Sequence, residues 1–230
     1  MRSSTLIVSA LSIFVLAGSV LAQGGAPAAP SPQPAGEAKP AENTDKLVYV
    51  KVSTSMGDIV IELNETKAPI SVKNFLDYAD KGHYNGTIFH RVIGDFMIQG
   101  GGHTPDGKEK QTGDPIRNES QNGLKNARGT IAMARKQDPN SATAQFYINV
   151  NDNGALDAGR SSTGNAGYAV FGRVVEGMGV VDKIKAVETN KRAKGASGGA
   201  SLVNPDKMPD QPLQDVLINT IARTKAPEKK

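Results

Sequence analysis

Phe89-His90-Arg91-Val92-Ile93-Gly94-Asp95-Phe96-Met97-Ile98-Gln99-Gly100-Gly101 sets a permanent cation, a bulky apolar pair and an amide between Arg91 and Gln99. Arg91 stays charged at any working pH and offers five donors in a fixed fork. Phe96 and Met97 can wall a pocket, and Met97 and Gln99, two residues apart, share one face of a strand. Such a site grips an apolar ring while donating hydrogen bonds to a nearby amide. It carries no nucleophile and no set of metal ligands, so bond cleavage is not the chemistry it points to.

On either side of this run the hydrophobic period is mostly two. Leu47–Val52 and Asp58–Leu63 alternate around a Ser55-Met56-Gly57 turn and read as a hairpin. Further strands are expected at Thr87–Val92, Phe96–Gln99, Thr130–Ala134, Gln145–Val150, Ala169–Val175 and Asp215–Ile221. Ala68–Tyr78 reads as a helix, with Pro69 in its first turn, an Ile70, Val72, Phe75, Leu76, Tyr78 stripe, and Gly82 at its exit. A second helix is expected over Met178–Ala186. Periodicity alone thus gives a strand-rich α+β domain. In Gln145–Val150, Phe146, Ile148 and Val150 belong to the core, while Gln145, Tyr147 and Asn149 belong to an outer surface where a substrate can lie.

Two more blocks stand beside the first. One is Gly129-Thr130-Ile131-Ala132-Met133-Ala134-Arg135 followed by Ser141-Ala142-Thr143-Ala144-Gln145-Phe146-Tyr147-Ile148-Asn149. The other is Ala155-Leu156-Asp157 and then Gly167-Tyr168-Ala169-Val170-Phe171-Gly172-Arg173-Val174-Val175-Glu176-Gly177-Met178. In order and rough spacing, from about Leu47 to about Arg223, the three resemble the signature segments of the cyclophilins, the peptidyl-prolyl cis/trans isomerases, and are similar to exported bacterial members.

The resemblance implies a mainly β fold, a closed antiparallel eight-stranded barrel with two capping helices. It implies an isomerase of Xaa-Pro bonds with no cofactor and no metal. Arg91 would donate to the prolyl nitrogen. Phe96, Met97, Tyr147 and Leu156 would enclose the proline ring. Gln99, assisted by Gln145, would orient Arg91 and contact the substrate carbonyl. Ala134 would line the rim, Arg135 would bind the preceding residue mainly through its backbone, and Tyr168 would supply a hydroxyl at the edge. Two residues depart from the family pattern. Tyr147 stands where many members have Phe, and its hydroxyl needs water or a partner. Ala155 stands where cyclosporin-sensitive members have Trp, which implies weak cyclosporin binding.

At 230 residues the chain suits one domain plus tails. A hydrophobic content of 38% with 25 Gly fits a turn-rich domain better than a helical bundle. The net charge of +4 is spread without a basic stripe or an aromatic stacking set, which argues against a nucleic-acid partner. Met1–Ala22 reads as a cleaved signal peptide: Arg2, an apolar Leu6–Leu21 core, and a small-residue site before Gln23. That core is short for a membrane span and no stop-transfer cluster follows, so the expected product is exported, periplasmic or secreted, without stable membrane insertion. Residues 23–45 read as a disordered Ala/Pro-rich tether, 46–224 as the isomerase domain and 225–230 as a flexible tail. Cysteine is absent, so the domain stands on its core without disulfides.

Gly102–Glu109 nearly spells a phosphate loop, but Glu109 replaces the required Ser/Thr. Gly195–Gly199 matches a nucleophile elbow without the strand-turn-helix setting. His83, His90 and His103 are widely spaced and read as structural. Two functions remain: an isomerase assisting the folding of exported proteins, and a proline-binding or chaperone-like module with little turnover. Either takes proline-containing peptides and unfolded or folding proteins as partners, and a monomer is the default expectation.

Overall fold

The computed structural model describes residues 45–160, 166–190, 204 and 206–228. The signal peptide, nearly all of the tether, residues 161–165, most of Ala193–Pro205 and the last two residues lie outside the described residues. Asp45, read as tether, is described, and it accepts a hydrogen bond from Asn64 Nδ2 at 2.7 Å.

The alternating runs form strands. β1 (Leu47–Thr54) and β2 (Gly57–Asn64) pair in a hairpin closed by Thr54 opposite Gly57. Then follow α1 (Pro69–Asp80), β3 (Thr87–Ile88), β4 (Arg91–Ile93), β5 (Met97–Gly100), β6 (Thr130–Met133), β7 (Phe146–Asn149), a 3-10 turn (Gly154–Leu156), β8 (Val170–Glu176), α2 (Met178–Lys185) and β9 (Leu217–Thr224). Each of the eight expected strand segments contains a strand. The nine strands make one sheet in the order β3-β9-β1-β2-β8-β6-β7-β5-β4.

This open half-barrel replaces the closed eight-stranded barrel that was expected. The cause lies in the stretch read as one strand, Thr87–Val92. Its first part pairs with β9 and its second with β5, with Phe89-His90 between them. One run of chain therefore supplies both ends of the strand order, and no ladder joins β3 to β4.

Val50, Val52, Ile59, Ile61 and Leu63 alternate inward and are fully buried with Phe75, Phe146 and Phe171. Phe75 stacks edge-on against Phe146 at 5.4 Å between centroids. Helix α1 lays Val72, Phe75, Leu76 and Ala79 into this core, and α2 adds Val181 and Ile184. Two hydrogen bonds close α1, from Gly82 N to Ala79 O and from His83 N to Tyr78 O. They need the left-handed φ of +66° that glycine adopts at Gly82 without strain. The start of α1 has no cap of its own at Ala68. Glu119, far along the chain, accepts from Ile70 N at 3.0 Å and Ser71 N at 2.7 Å instead.

Candidate active site

Strand register builds the site. Arg91 on β4 lies opposite Gln99 on β5, Gln99 opposite Tyr147 on β7, and Tyr147 opposite Ala132 on β6. Directly opposed residues project to the same face, so this row runs across four strands on one surface. Met97, two residues before Gln99, shares that face. Met97, Ala132, Tyr147 and Val170 form a second apolar cluster, apart from the main core, with Phe96, Ala134, Leu156 and Tyr168 packed against it. Phe146, Ile148 and Val150 belong to the main core, so β7 divides its two faces as its alternation indicates. One detail differs. Tyr147 is 4% exposed and Asn149 fully buried, so these two lie beneath the surface.

A cavity of about 120 Å³ opens over this cluster, lined by Arg91, Phe96, Met97, Gln99, Ala134, Arg135, Tyr147, Leu156 and Tyr168. Nine of the ten residues singled out in the sequence surround it. The tenth, Gln145, lines a broader adjoining groove of about 600 Å³ that shares Gln99, Ala134 and Arg135 with the first. Gln99 Nε2 donates to Gln145 Oε1 at 2.9 Å, and Gln145 Nε2 donates to Glu109 Oε1 at 3.2 Å.

Arg135, expected to act mainly through its backbone, also engages its neighbours through its side chain. Its guanidinium sits 4.3 Å from the centre of the Tyr168 ring and donates to Gly167 O from Nε and Nη2 at 3.1 and 2.9 Å. Nη1 reaches Lys136 O at 2.9 Å. The side chain thus braces the Tyr168 wall. Burial pushes the Tyr147 phenol well above its ordinary range. It stays protonated and donates to Asn126 Oδ1 at 2.7 Å, which is the partner its hydroxyl requires.

Two residues at the site escaped the sequence reading. Asp210 Oδ2 lies 3.9 Å from Arg91 Nε, and its backbone carbonyl accepts from Val92 N at 2.9 Å. It is the one non-glycine among the described residues with positive φ, +60°, a conformation Asp tolerates better than most. Asn126, 1% exposed, lies beneath the cavity. An isolated Asn and an Asp 119 positions from Arg91 carry no local signal. The histidines also come closer than their spacing suggests. The His90 and His103 rings lie 4.4 Å apart, and Nδ1 of each is buried without a partner. Among the described residues no group of three His, Cys, Asp or Glu could hold a metal ion, and no helix is long and apolar enough to cross a membrane.

A cavity with apolar walls and a forked cation at its edge thus lies on the outer face of this sheet. The family model for cyclophilin type peptidyl-prolyl cis-trans isomerase/CLD matches residues 49–220, and the chain belongs to that family. A peptidyl-prolyl cis-trans isomerase of Streptomyces antibioticus is 54% identical over 171 residues, 74% of this chain and 95% of that protein. Peptidyl-prolyl cis-trans isomerase B of Escherichia coli is 54% identical over 172 residues, 75% of this chain and 97% of that protein. Among solved structures, a cyclophilin type isomerase of Cryptosporidium parvum superposes with a TM-score of 0.59 at 25% identity, covering 79% of this chain and all of that one.

Proposed function

We propose that the protein isomerises Xaa-Pro bonds of exported proteins during their folding, with Arg91 as the catalytic donor. The barrier is amide resonance, about 20 kcal/mol, and uncatalysed exchange takes tens of seconds. Twisting the bond breaks the overlap of the nitrogen lone pair with the carbonyl, so the nitrogen becomes pyramidal and more basic. A donor aimed at that nitrogen binds the twisted state better than the planar one, which lowers the barrier without proton transfer.

The convergence of Arg91 with the apolar walls on one cavity supports this reading above any other observation. Simple capture of an apolar ring needs no guanidinium. Phe96, Met97, Tyr147 and Leu156 enclose the ring, Gln99 and Gln145 hold the substrate carbonyl, Ala134 and Arg135 border the preceding residue, and Tyr168 closes the edge. Raising a rate near 0.01 per second to a typical turnover requires roughly 7 kcal/mol. One charge-assisted hydrogen bond supplies about 1.5–3 kcal/mol, and holding one side of the peptide still in a partly dry pocket supplies the rest.

The test is turnover of a short Ala-Pro peptide. Arg91→Ala is expected to lower kcat/KM roughly 10- to 150-fold, the equivalent of that one bond. Equal rates in both proteins would favour the proline-binding module. Export rests on the Arg2, Leu6–Leu21 and Val20-Leu21-Ala22 pattern. Sequencing of the mature protein is expected to begin at Gln23, and a mature chain that keeps Met1 would contradict it.

A further inference from the structure

The proline pocket has walls from five separate stretches of chain, and one buried amide touches or reaches four of them. Asn126 Oδ1 accepts from the Tyr147 hydroxyl at 2.7 Å and from Asn149 Nδ2 at 3.3 Å. Its Nδ2 donates to Asp157 Oδ1 at 3.1 Å and to Tyr168 O at 3.4 Å. Its backbone N–H donates to the same Asp157 oxygen at 2.8 Å, and its carbonyl accepts from Asn153 N at 2.7 Å. Asn153 in turn donates from Nδ2 to Phe96 O and to Asn149 Oδ1, both at 2.7 Å. Each polar group of Asn126 is satisfied, and the partners sit in or beside the segments that carry Phe96, Tyr147, Leu156 and Tyr168.

The geometry points to Asn126 as a positioning residue that sets the width of the proline pocket from underneath. At 1% exposure it cannot touch a substrate, so it acts only through the walls. The role needs a side chain that donates and accepts at once, which an amide does and a carboxylate or an alkyl group does not. Asp at this position would also face the Asp157 carboxylate at hydrogen-bond distance. The Tyr147 hydroxyl ties the pocket floor to the hub. A buried network that is fully paired rigidifies what it holds.

This inference rests on the isomerase reading, and ring size separates the two. Wild type, Tyr147→Phe, Asn126→Ala and Arg91→Ala are compared on an Ala-Pro peptide and on the same peptide with six-membered pipecolic acid. A rigid pocket discriminates one extra methylene by roughly tenfold. Asn126→Ala is expected to narrow that ratio to roughly two- to threefold, with Tyr147→Phe in between. A hub that served stability alone would lower the active fraction for both peptides and leave the ratio fixed, and an unchanged ratio in both variants overturns the proposal. Tyr147→Phe, which keeps the buried ring, decides the matter if Asn126→Ala does not fold. Should wild type turn over neither peptide, the isomerase reading falls alone. The ratio is then taken from the dissociation constants of the two peptides, with the same expected narrowing.

Discussion

Arg91 illustrates how little a single residue says until its neighbours are known. An arginine on a strand is by default a solvated surface residue, and here it lies opposite Gln99, beside a cavity walled by Phe96 and Met97. The spacing from Arg91 to Gln99 was readable because strand alternation fixes which side chains share a face. Partners brought from elsewhere were not. Asp210 and Asn126 reach the site through hydrogen bonds that follow from the tertiary fold, and no periodicity announces them. Ala155 carries the prediction that belongs at this scale. It is exposed beside the Leu156 wall and presents a methyl group where an indole would offer a flat surface and a donor. Cyclosporin is expected to inhibit turnover of an Ala-Pro peptide only weakly, and inhibition at nanomolar concentration would contradict this.

At the scale of elements, the local rules worked where the information was local. Alternation located the strands, Pro69 and Gly82 bracketed α1, and the two helices lie within a residue or two of their expected bounds. The cap of α1 could not be read in this way. Glu119 accepts from two amides of the first helical turn and from the Ser71 hydroxyl, across nearly fifty residues of chain. It satisfies orphan N–H groups and places negative charge at the positive end of the helix. Glu119→Ala is therefore expected to destabilise the protein by about 1–2 kcal/mol, read as a lower urea midpoint. An unchanged midpoint would show that the helix start is held by its packing alone.

Over the whole molecule, the fold class was legible and the closure of the sheet was not. Whether Thr87–Val92 runs as one strand or changes partners at Phe89-His90 depends on β5, which follows it directly, and on β9, which lies far along the chain. That crossing also buries His90 against His103. Burial, with His103 adding to it, lowers the His90 imidazole to about 4. A base whose folded pKa falls below its unfolded value near 6.5 leaves the folded state with fewer protons between those limits. Stability from this group is complete above about pH 6.5 and lost as pH falls towards 4, by up to about 3 kcal/mol. Arg91, Gln145 and the Ile88 backbone also face His90. His90→Gln is expected to flatten the stability profile over that window, and an identical profile would place the acid sensitivity elsewhere. The most direct test of the central claim is NMR exchange on an Ala-Pro peptide bound to wild type and to Arg91→Ala, with affinity read from the same samples. Affinity within a few-fold and an on-enzyme cis–trans rate lower by roughly 10- to 150-fold are predicted. A rate that falls no further than the affinity would contradict a donor acting on the twisted bond.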